Sequence, residues 1–218
     1  MALDEKWPLL DKLEKQAVVE VKLLRSSEAW GTAKDAWNAI KTNPEGKYFQ
    51  MIDYKWLGPA RERAVLAYTF YQCAQAERCL TVDHGASALQ YTLPGESQPG
   101  DGGPPKSRCC RVRDFGGMVV KLRQEAVGER AEEMIELTGL ATAPEKQGRG
   151  YASALMHALH EIADENGLAI WLATTDAMGF YALFGYKLAA EGWIGQENPE
   201  WDGGPIPVRI MIREPPKA

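Results

Sequence analysis

PEKQGRGYASALM, residues 144–156, sets a glutamine, an arginine and two glycines two apart directly before a helical run. A helix start leaves about four backbone N–H groups without partners, and its dipole puts partial positive charge there. Such an end attracts anions. Gly148 and Gly150 let the chain turn tightly and clear side chains from a ligand's path, and Arg149 adds charge at the rim. The corner is shaped for a phosphate or a pyrophosphate. It is not a nucleotide-triphosphate loop, because no Gly-Lys-Ser/Thr follows, and the Gly-x-Gly-x-x-Gly spacing of dinucleotide sites fails. Taken alone, a glycine pair before a helix also describes a plain connector.

The flanking sequence supplies the fold class. EMIELTGLAT (133–142) reads as a strand, and residues 150–165 as a helix with Ala154, Leu155, Ala158, Leu159 and Ile162 in step, stopped by Gly167. LAIWLAT (168–174) is a buried strand, MGFYALF (178–184) a short helix, and GYKLAAEGWI (185–194) and PVRIMI (207–212) two closing strands. Further upstream, VVEVKLL (18–24) alternates as a strand. Ser26 or Ser27 caps a helix to about Lys41, with Trp30, Ala33, Trp37 and Ile40 as its buried stripe. A second helix fits 59–78, with Val65, Leu66, Tyr68, Phe70 and Cys73 apolar. CLTV (79–82) and ASALQYTL (86–93) flank Asp83-His84-Gly85 as a hairpin, and a helix fits 117–132. The order predicts an α/β fold with a mixed sheet.

Residues 1–218 read as one domain with two additions. An amphipathic helix occupies about 1–17, with Leu3, Trp7, Leu10 and Leu13 on one side. PGESQPGDGGPPKSR (94–108) is too poor in apolar residues to pack and reads as a flexible insertion. The net charge of −5 argues against phosphate-backbone binding to nucleic acid and for a cationic small partner. No apolar run is long enough to cross a bilayer, and the acidic start lacks the pattern of a secretory signal, so a cytoplasmic home is expected. Cys73, Cys79, Cys109 and Cys110 lack metal-ligand spacing and read as reduced thiols. His157 and His160 share a helix face and read as a surface pair rather than a metal site.

Three segments resemble, in order, the motifs of the GNAT superfamily of acyl-CoA-dependent acyltransferases. Gln147-Gly148-Arg149-Gly150-Tyr151-Ala152 is similar to its Q/R-x-x-G-x-G/A signature. FYALFGYKL (180–188) resembles its F-Y-x-x-x-G-F element, with Tyr181 at the tyrosine position. GLATAP (139–144) resembles its L-A-V-x-P strand end, with Thr142 in place of valine or isoleucine. The resemblance covers about residues 133–212 and implies a splayed central sheet flanked by helices. It further implies acetyl-CoA as co-substrate. The pantetheine arm would bond backbone groups of Leu140 and Thr142. The pyrophosphate would sit on the amides of Gln147 to Ala152, and Thr174 stands where many members have an asparagine contacting CoA.

The implied reaction is N-acetylation of a primary amine by direct attack in a ternary complex. A lysine-like amine holds its proton up to about pH 10, so a base must remove it. Glu136 is the candidate, with Glu133 in reserve; strand alternation puts Glu136, Thr138 and Leu140 on one face and Ile135, Leu137 and Gly139 on the other. A strand-edge carboxylate in solvent has the same sequence. The oxyanion needs a donor, and the Leu140 N–H suits. Tyr181 matches the acid that serves the departing thiolate; a buried aromatic with a satisfied hydroxyl is the plainer alternative. Two other classes stay open: a non-catalytic acetyl-CoA sensor, and a scaffold anchored on the seven tryptophans. Trp30, Trp37 and Trp171 read as core, whereas Trp193 and Trp201 either line the acceptor pocket or only pack.

Overall fold

The computed structural model describes residues 19–41, 46, 48, 58–96, 110–196, 198 and 201–216. The expected N-terminal helix and nearly all of the 94–108 insertion lie outside these residues. The elements run β1 (Lys22–Leu23), α1 (Ala29–Ile40), α2 (Gly58–Gln75), β2 (Cys79–Val82), β3 (Ser87–Thr92) and α3 (Cys110–Ala126). They continue β4 (Ile135–Thr142), α4 (Tyr151–Glu165), β5 (Ile170–Thr174), α5 (Met178–Leu183), β6 (Lys187–Ile194) and β7 (Ile206–Arg213). The sheet has seven strands in the order β1-β2-β3-β4-β5-β7-β6, and β4–β5 is its parallel step. A mixed α/β fold is therefore what the sequence adopts.

Helices cover both faces. One apolar cluster joins β2–β5 to α4, where Leu155, Met156, Leu159 and Ala163 are fully buried at helical spacing. A second packs α1 and α2 on β2 and β3, and a third packs α3 on β5 and β7. With helices on both sides, every residue of β2 and β3 is buried, the polar Thr81, Ser87, Gln90 and Thr92 included. The hairpin between them turns through left-handed Asp83, His84 and Gly85. A side chain at Gly85 would meet Thr32 Oγ1 of α1 at 2.0 Å, which is why the turn ends on glycine.

Two helix expectations shift. The buried positions of α1 are Ala29, Thr32, Ala33 and Ala36, while Trp30 is 62% exposed and Ile40 is 37% exposed. Small residues let α1 approach α2 closely, whose own buried positions are Ala67, Phe70 and Cys73; Val65 and Tyr68 are exposed. Neither Ser26 nor Ser27 caps α1. They form a short 3-10 turn whose cap is Arg25, its N–H donating to the Glu28 carboxylate at 3.0 Å. Cys73 and Cys79 are buried free thiols, and burial pushes that of Cys73 up to about 11. No helix among the described residues is long and apolar enough to cross a membrane.

Candidate active site at the splayed strands

β4 and β5 pair only from Ile135↔Ile170 to Leu137↔Leu172. Beyond that point β5 pairs with β7 alone, and β4 continues to Thr142 against β3 alone. The divergence coincides with a bulge. Gln90 stands opposite Gly139 and Tyr91 opposite Leu137, so Thr138 is the extra residue of β4. A bulge bends its strand and raises local twist, which swings the second half of β4 away from β5.

The same bulge overturns the expected alternation. Leu140 packs with Ile135 and Leu137 against the α4 side, and Ala141 packs on the opposite side with α1 and α2. Glu136 and Leu140 therefore lie on opposite faces. One extra residue flips every later side chain.

Backbone groups in the gap follow from register. The Ala143 N–H donates to the Ala86 carbonyl at 2.7 Å, which makes that opposed pair a bonded one. Antiparallel ladders alternate, so Leu140 and Thr142, opposite Leu89 and Ser87, turn their peptide groups toward the gap. The Gln147 side-chain amide donates to the Thr142 carbonyl at 3.2 Å.

The corner before α4 has Gly148 at φ 72° and Gly150 at φ 79°. A Cβ at either would meet nothing within 4 Å, so the glycines answer a conformational need and leave the space before the helix open. Gly150 is the cap residue and no side chain caps the helix; the first turn closes with the Ala154 N–H donating to the Gly150 carbonyl at 2.9 Å. A helix start leaves its first amides without helical partners, as anion binding requires, whereas the Gln147 N–H donates back to the Pro144 carbonyl at 3.4 Å. Arg149 is exposed and donates to the Glu145 carbonyl at 3.2 Å.

Lys146 belongs to the scaffold. Its ammonium lies 2.6 Å from the Asp83 carboxylate on the β2–β3 hairpin. That hydrogen bond holds the Asp83 carboxyl below its usual range. The hairpin thus clamps the loop twice, through Asp83 and through the Ala86 carbonyl. Sequence reading missed this clamp because its halves are 63 residues apart.

A cleft of about 970 Å³ opens at the splay. It brings together Glu136, Leu140, Thr174 and Tyr181; Thr142 and the Gln147–Ala152 corner lie outside it. Tyr181 is 8% exposed, and its ring meets those of Phe180 and Tyr186 edge to face. The Thr174 hydroxyl accepts from the Ala177 N–H at 3.3 Å and so closes the turn into α5. Arg123 and Glu132, which sequence reading passed over, line the opposite end: the guanidinium sits 3.7 Å from the Glu132 carboxylate and 5.9 Å from the Trp171 ring centre. Trp193 and Trp201 do not line the cleft. Trp193 is 45% exposed, and the Trp201 ring packs edge-on to Tyr48.

The histidine expectation needs correction. His157 is exposed, but His160 is buried beneath Phe184, with Nε2 3.3 Å from the Tyr186 hydroxyl. Burial, with Arg213 nearby, lowers its pKa to about 4.

Residues 107–188 match the family model described as the acetyltransferase (GNAT) domain. An uncharacterized N-acetyltransferase of Schizosaccharomyces pombe is 25% identical over 133 residues, which are 60% of this chain and 48% of that protein. The chain thus spans about half the length of that curated relative. The polyamine N-acetyltransferase of Drosophila melanogaster superposes with a TM-score of 0.64 at 11% identity, over 90% of this chain and 99% of that one. Arylalkylamine N-acetyltransferase 2 of Aedes aegypti gives 0.64 at 13% identity, over 91% and 99%. The ribosomal-protein-S18-alanine N-acetyltransferase of Escherichia coli gives 0.51 at 13% identity, over 91% and 95%. At these identities the superpositions speak for the fold. The matched stretch runs from α3 through the glycine corner to the helix of Tyr181, and the sheet around it is shared with those structures, so residues 107–188 are similar to the GNAT acetyltransferase domain and the chain has the fold of these N-acetyltransferases.

Proposed function

We propose that the protein transfers the acetyl group of acetyl-CoA to a primary amine, by direct attack within a ternary complex. The observation that carries this reading is the junction of the splayed β4 with the open amide corner before α4. The amides of Gly148 to Ala152, at an N-terminus that no side chain caps, suit a diphosphate, with the Gln147 side chain and Arg149 at the rim. The peptide groups that Leu140 and Thr142 turn into the gap suit an amide-bearing arm. Thr174 and Tyr181, on the far wall, frame the point that this arm would reach.

Within that frame the chain's own groups divide the work. The Leu140 N–H donates to the carbonyl oxygen as negative charge develops there. Glu136, on the cleft floor, takes the proton from the incoming ammonium. Tyr181 supplies a proton to the departing thiolate. Burial of Tyr181 and Trp171 limits water around the reacting atoms.

The test has two arms. Calorimetry should find acetyl-CoA binding that is lost when Gly150→Asp places a carboxylate among the corner amides. A free-thiol assay across a chemically broad amine library should then detect release. Binding without release across the library would turn the protein into a sensor, and absence of binding would remove the transferase reading altogether.

A further inference from the structure

The acceptor end of the cleft has a charge and shape of its own. Phe115, Val119 and Val120 of α3 face Ile40 of α1 and Leu66 and Phe70 of α2 across it. Its floor carries Glu136, whose register partner on β5 is Trp171. Four lining residues are acidic: Glu96, Glu132, Glu136 and Asp176.

Among the described residues, Arg123 is the one cation on the lining. Its charge is answered on two sides, by the Glu132 carboxylate at 3.7 Å and by the face of Trp171. Arg78, which neutralises Glu96 at 2.6 Å, does not line the cleft. A carboxylate entering here would meet like charge and would compete with Glu132 and Trp171 for Arg123. An ammonium meets carboxylates with which it can pair, and an apolar body meets matching walls.

We propose, resting on the transferase reading above, that the acceptor is an amine with an apolar body and no carboxylate: an aryl- or alkylamine rather than an amino acid or a free peptide. The α-carboxylate is what the cleft rejects. Specificity here is exclusion by Glu132, Glu136 and the committed Arg123 as much as attraction of the ammonium.

Matched pairs differing only in that carboxylate test the proposal: phenethylamine against phenylalanine, tyramine against tyrosine, tryptamine against tryptophan. The expected result is kcat/KM at least roughly tenfold higher for each amine than for its amino acid, narrowing as salt is raised. Glu132→Gln, at an exposed position that does not threaten folding, should release Arg123 and shrink the ratio several-fold. Equal rates, a preference for the amino acids, or a ratio that Glu132→Gln leaves unmoved would overturn the proposal. Amine binding to the protein without acetyl-CoA, followed by calorimetry, reads the same pairs when no thiol is released. Failure of acetyl-CoA to bind would sink the transferase reading alone, while the pair ratio still judges the cleft.

Discussion

In the proposed reaction, Tyr181 is the residue on which the chemical step turns. Removing its hydroxyl keeps the ring that packs against Phe180 and Tyr186. Tyr181→Phe should therefore lower kcat by roughly a hundredfold or more while acetyl-CoA affinity by calorimetry stays within about twofold. Unchanged kcat would return Tyr181 to a packing role. Glu136→Gln should cost most activity at low pH and progressively less toward about pH 10, where free amine is already present. A loss that is flat with pH would make Glu136 a packing residue. His160 gives a prediction about stability. Its folded pKa of about 4 lies below the ordinary 6.5, so the unfolded chain takes up the proton first. Its contribution is complete above about pH 6.5 and is lost as pH falls through 4. Urea midpoints should drop between pH 7 and pH 5, and His160→Leu should flatten that drop while carboxylates remain ionised.

At the scale of elements, the glycine corner is held by the β2–β3 hairpin. Asp83→Asn weakens the bond to Lys146, an exposed pair whose loss leaves the fold intact. Acetyl-CoA affinity should fall a few-fold with the melting temperature nearly unchanged; a large fall in melting temperature would make Asp83 a folding residue instead. Much at this scale was legible. The corner itself, the hairpin turn and the 3.6-residue period of α4 are local signals, and each appeared where the residues put it. What failed was non-local. The face of Leu140 depends on a bulge that exists only in the register with β3. The α1 stripe slipped because large apolar side chains were expected inward, whereas close packing on α2 selects alanines and turns Trp30 out. His160 looked like a surface residue until α5 and Tyr186 closed over it.

The whole molecule is two half-sheets joined along a short line. β1 to β4 form one, β5, β7 and β6 the other, and three register pairs connect them. Every strand of this arrangement was expected from the sequence, but not where the two halves part company. The cleft was hidden for the same reason, its walls coming from α1, α2 and α3 together.

That short line has a consequence for how the molecule breathes. Amides along Ile135–Leu137, sealed between two strands and beneath α4, should be among the slowest to trade hydrogen for deuterium. Leu140 and Thr142, whose peptide groups face the opening, should exchange far sooner and become protected only when the thioester ligand is added. Residue-resolved exchange with and without acetyl-CoA checks both halves of this; equal protection at Leu137 and Leu140 in the free protein would mean the opening is shut in solution. A wedge that starts at one bulged threonine would then act as a reversible zip, with the ligand serving as the missing strand.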